Sequence, residues 1–151
     1  MNNVTVQWFG SPGHFICAQD CRFHLCTQVG MYLISTVGEY LPDAPVREIF
    51  AQSRGVALEG MGDKRRAHYM EKIGFEDIGY GRKYETMVFS LNGKVCAGKG
   101  CGCGMPVPSD WRELDAEGYN TAGDATRGHR RMVQKYLDCS INAATEDSKE
   151  H

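Results

Sequence analysis

The sequence predicts an α+β domain, an antiparallel sheet of about five strands with two or three helices packed on it. Three patterns carry this. The first third alternates apolar and polar residues with period two, VFSLNGKV holds an Asn-Gly pair between two strand-like runs, and the last third carries a helical apolar stripe. At 151 residues, with 42% hydrophobic and 24% charged residues, the chain has the size and composition of one globular domain. The domain is expected over 1–144, with 145–151 a polar, frayed tail.

Val4, Val6 and Trp8 alternate with Thr5 and Gln7, the pattern of a half-buried strand. Ser11, Pro12 and Gly13 then turn the chain. Phe23, Leu25, Thr27 and Val29 point one way, and Arg22, His24, Cys26 and Gln28 the other. The β-branched and aromatic run 31–37 makes an antiparallel pair with 21–29, with a bulge expected around Gly30. Asp43, Pro45 and Glu48 open a helix, and Asp63 caps another that ends at Gly74. A short strand and turn follow over 75–81. Asn92-Gly93 predicts a tight hairpin between YETMVFSL and KVCA.

In the last third, residues 110–117 read as a turn of helix. Thr121 with Asp124 resembles a capping box with Asp in place of Glu. His129, Met132, Val133, Tyr136 and Leu137 then fall on one helical face.

A formal net charge of −2 argues against a nucleic-acid partner. The local basic patches, at 64–66 and 127–131, have acids nearby and read as solvated faces. Seven cysteines in a chain without the order of a secretory signal point to reduced thiols, so the expected compartment is the cytoplasm.

Cys96, Cys101 and Cys103 stand at C-x4-C-x-C, interleaved with glycines that let a short loop wrap its sulfurs around one ion. Such a set suits a structural zinc, with His129 as the candidate fourth ligand. Cys26, Cys139 and His24 are the other options, and the plainer alternative is small reduced thiols in a turn beside a packed histidine. A second cluster, His14, Cys17, Cys21, His24 and Cys26, could activate a thiolate or bind metal, against ordinary packing. Arg22, the Ser35-Thr36 pair and Glu85 occur in the order found in many ADP-ribosyltransferase folds, where such residues hold NAD. That resemblance is one of order alone. No phosphate-binding glycine loop is present.

Taken together, CRFHLCTQVG, YLISTVGEYLPDAPVREI, IGYGRKYETMVF, CGCGMP and ELDAEGYNTAGDATRGH resemble small proteins encoded by tailed phages and prophages of Gram-negative bacteria. The resemblance implies expression in a bacterial cytoplasm as an accessory gene product, and it brings no catalytic residue with it. The expectation is a non-enzymatic protein that binds a host or phage macromolecule, such as a host defence factor. A strand such as YETMVFSL would offer an edge for pairing. The competing expectations are a small enzyme acting on a nucleotide or NAD, and a minor virion component.

Overall fold

The computed structural model describes residues 3–10, 21–40, 78, 81–97 and 103–149. Six strands form one antiparallel sheet: β1 (Val6–Phe9), β2 (Cys21–Val29), β3 (Tyr32–Tyr40), β4 (Tyr84–Val95), β5 (Pro106–Pro108) and β6 (Asp115–Tyr119). One helix among the described residues, α1 (Ala122–Asp147), packs on the sheet. The α+β class and the antiparallel sheet are as expected, but the described residues hold one helix where two or three were expected. The helices predicted after Pro42 and from Asp63, the turn at 11–13 and most of the segment 75–81 lie outside the described residues.

In space the strands run β1-β2-β3-β4. The far side of β4 is shared, β6 pairing along 84–88 and β5 at Leu91 and Val95. Alternation in the central strands then defines two apolar layers. Val29, Ile34 and Val88 face α1 and meet Met132, Val133, Tyr136 and Leu137. Cys26, Leu33 and Leu91 face away and meet Met105 and Phe9. Each large aliphatic residue so enclosed contributes roughly 1.5–3 kcal/mol relative to exposure, so these layers hold the helix to one face of the sheet and Met105, just before β5, to the other. The apolar stripe predicted on the last helix is the one that packs.

Several local expectations change. The β2–β3 pairs from Val29↔Tyr32 to Cys21↔Tyr40 all share one alignment, so Gly30 makes no bulge. Gly30 instead opens a two-residue turn at φ 55°, where a side chain would be strained. Asn92-Gly93 is not a hairpin turn. β4 runs through it, and the β4–β5 register shifts between Leu91 and Val95, with Gly93 at φ 85°. The hairpin is excluded because 84–91 already has β3 on one side and β6 and β5 on the other. For the same reason β4 is no edge strand.

Residues 115–119 form a strand where a helical turn was expected over 110–117. Their alternation places Asp115, Glu117 and Tyr119 towards α1, and the two carboxylates find cations there. Lys135 donates to Asp115 at 2.6 Å and Arg131 to Glu117 at 2.9 Å. Thr121 caps α1 as predicted, accepting from the Asp124 N–H at 3.1 Å. The helix then continues to Asp147, past the start of the segment read as a tail.

Candidate binding site

His129 lies at the centre of the helix–sheet interface. It is buried, with hydroxyls from two neighbouring strands against its ring. Its Nε2 is 2.8 Å from the Thr27 hydroxyl on β2, and its Nδ1 is 2.7 Å from the Thr36 hydroxyl on β3. The chain of contacts continues from Thr36 to Thr86 on β4 at 2.5 Å. A neutral imidazole has one donor and one acceptor nitrogen, and hydroxyls can do either, so both ring nitrogens are satisfied in either tautomer. Burial pushes the His129 imidazole down to about 4 and keeps it neutral at pH 7.

This geometry bears on the zinc expectation for His129. Both ring nitrogens face threonines, on the sheet face that carries α1. The cysteine loop leads instead into Met105, which packs on the opposite face against Cys26, Leu33 and Leu91. His129 and Met105 thus lie on opposite faces of the sheet. At the loop's base the Cys96 N–H donates to the Met105 carbonyl at 2.8 Å. Cys96 is half-buried and Cys103 exposed, while Cys101 lies outside the described residues. Among the described residues no group of three or more His, Cys, Asp and Glu side chains is placed to hold a metal ion.

The other candidates fall on the far face. Strand alternation puts Arg22, His24 and Cys26 of β2, Ser35 of β3 and Glu85 of β4 on that side. His24 and Glu85 both oppose Val37, so their backbones stand about 10 Å apart, two strand spacings. Burial raises the Glu85 carboxyl, with help from Glu113. Burial also pushes the Cys26 thiol up to about 12, so at neutral pH it is a packed thiol and not a nucleophile. His14 and Cys17 lie outside the described residues, and Cys139 is exposed on α1.

Among the described residues β1, like β5 and β6, pairs on one side alone, in its case with β2. Trp8 is 64% exposed and Val6 49%, and both stand on the face that carries α1, opposite Thr27 and Val29. The half-burial expected of this strand therefore does not extend to them. Between β1 and α1 a cavity of about 420 Å³ is lined by Trp8, Leu25, Val133, Thr126, Arg130 and Gln134, with Thr27 and His129 also on its wall. It is apolar along Trp8, Leu25 and Val133 and polar along the outer face of the helix.

The backbone of β1 is equally informative. The Gly30 N–H donates to the Thr5 carbonyl at 2.8 Å, which makes Thr5 and Gly30 a hydrogen-bonded pair. Such pairs alternate along an antiparallel ladder, so Gln7 and Phe9 also bond to β2. Val6 and Trp8 consequently turn their N–H and C=O groups outward, at the same positions whose side chains are exposed. Comparison with protein-family models, curated proteins and solved structures yields no match for this chain.

Proposed function

We propose that this protein is a phage-encoded accessory factor of the bacterial cytoplasm that acts by binding a host or phage protein, such as a host defence factor, without catalysing a reaction. One observation carries the reading. An uncharged edge strand offers outward backbone groups and two exposed apolar side chains, Val6 and Trp8, beside a cavity of about 420 Å³. Soluble proteins ordinarily blunt such an edge with charge, proline or a covering segment, and β1 carries neither charge nor proline. An edge of this kind suits strand addition by a partner, with main-chain bonds for affinity and side chains for selectivity. In this reading a structural zinc at Cys96, Cys101 and Cys103 stiffens the loop that the Cys96–Met105 hydrogen bond closes.

A photoreactive residue in place of Trp8, in protein expressed during infection, tests the proposal. The expected result is a cross-link to one dominant protein, absent when the same group replaces Asp138 on the exposed side of α1. Equal labelling at both positions would reject it.

The placement of Arg22, Ser35 and Glu85 on one sheet face favours a second reading, an NAD-consuming transferase. It predicts nicotinamide release from NAD that is lost in Glu85→Gln. NAD left intact by the wild type counts against it.

A further inference from the structure

We propose that the β1 edge recognises an extended segment of its partner that carries an acidic side chain next to an apolar one, an inference that rests on the binding reading above. The segment adds to β1 as a strand. Its backbone bonds to Val6 and Trp8, the positions whose polar groups point outward. One apolar side chain enters the cavity against Trp8, Leu25 and Val133, and a carboxylate reaches the guanidinium of Arg130.

The charge argument comes from comparing the cations of α1. Arg127 pairs with Asp124, Arg131 with Glu117 and Lys135 with Asp115. Arg130, exposed on the cavity wall, has no acidic partner among the described residues. No charge lies on β1, and the remaining polar groups of the cavity, Thr27, Thr126, His129 and Gln134, are neutral at pH 7. Among the described residues Arg130 is thus the cavity's one charged group, and it favours an anion. The outer position of β1 sets the shape of the ligand: an added strand places alternate side chains on the α1 side, beside Val6 and Trp8. A bidentate carboxylate contact at Arg130 then supplies selection between partners more than bulk affinity.

The test uses a library of random linear peptides selected on the full chain, followed by titration of the winning synthetic peptide. Trp8 and Trp111 are the two tryptophans, so Trp111→Phe leaves Trp8 fluorescence as the reporter. Selected peptides should alternate apolar and polar residues with an acid beside an apolar position, and should shift the Trp8 emission. Arg130→Glu should weaken the winning peptide at least tenfold and turn a repeated selection towards basic residues.

Val6→Pro removes an outward N–H without touching the ladder to β2, so it should abolish binding at an unchanged melting temperature. Should that variant unfold, Trp8→Ala, which removes only an exposed side chain, should cost at least tenfold. Peptides without acidic preference, or full affinity in Arg130→Glu, would overturn the chemistry while leaving the edge as the binding surface if Val6→Pro still abolishes capture. Full binding by a folded Val6→Pro, or by Trp8→Ala where Val6→Pro unfolds, would overturn strand addition itself. Enrichment of no peptide would also overturn the proposal, as would self-association of the chain that Val6→Pro removes, since a second copy would then own the edge.

Discussion

The Thr36 hydroxyl sits 2.7 Å from Nδ1 of His129, although the two residues belong to different layers of the fold. With Thr27 on Nε2 and Thr86 behind Thr36, the contact turns a buried imidazole into a cross-brace between α1 and three strands. It also makes stability depend on pH. The folded-state value, about 4, lies below the ordinary 6.5, so between these values the unfolded chain binds more protons than the folded one. The contribution of His129 is fully present above about pH 6.5 and is lost as pH falls towards 4. A shift of this size corresponds to about 3 kcal/mol. Denaturant melts of wild type between pH 7 and pH 4 should show that loss, and His129→Gln should flatten the curve. An equal slope in both proteins would exclude His129 as its source.

Replacing Thr36 by valine keeps the shape and removes the hydroxyl shared by His129 and Thr86. It leaves Nδ1 and the Thr86 hydroxyl buried without that partner, at a cost of about 1–3 kcal/mol. Thr27→Val strands only Nε2 and should cost less. The order of the two variants in urea unfolding checks whether the middle of the line matters more than its end.

These contacts show where sequence reading succeeds and where it stops. Period-two alternation placed Phe23, Leu25, Thr27 and Val29 on one face, and the structure keeps them there. It could have gone further, because threonines at inward positions 27, 36 and 86 are polar groups that demand partners, and His129 is the inward polar group of the helix. Pairing them needs the sheet register, a long-range property no local pattern contains. The failure at Asn92-Gly93 has the same origin. The dipeptide favours a tight turn, but strands contributed from elsewhere in the chain already occupy both sides of 84–91, so the same backbone preference is spent on a register shift. Residues 110–117 misled for a different reason, since too few apolar positions separate one helical turn from a short polar strand. The edge position of β1 was invisible because alternation says which face a residue takes, not whether a neighbour will cover it.

Gly128 offers a test of close packing. A methyl group there would overlap the hydroxyl and ring of Tyr119, which is buried beneath α1. Alanine is better than glycine within a helix by about 1 kcal/mol, but overpacking a rigid ring costs typically 1–3 kcal/mol. The clash is direct, so Gly128→Ala should destabilise the protein by about 2 kcal/mol net. Adding Tyr119→Leu should make the glycine-to-alanine change neutral or favourable, which a thermal-melt double-mutant cycle will read. Destabilisation of the same size in both backgrounds would remove Tyr119 as the cause.

Metal analysis separates the cysteine loop from the histidine. In the proposed reading zinc binds through Cys96, Cys101 and Cys103, whereas both His129 nitrogens are committed to Thr27 and Thr36 under α1. Purified wild type should then carry stoichiometric zinc that is lost, with a lower melting temperature, in Cys101→Ser and Cys103→Ser. A chelator should reproduce that loss. His129→Gln should keep its zinc while losing the pH-dependent stability described above, because the imidazole acts in the core and not at the metal. Zinc lost together with His129 would return the histidine to the ligand set. Wild type free of metal, and unchanged in stability by the two serine substitutions, would leave the loop as a glycine-rich turn of thiols.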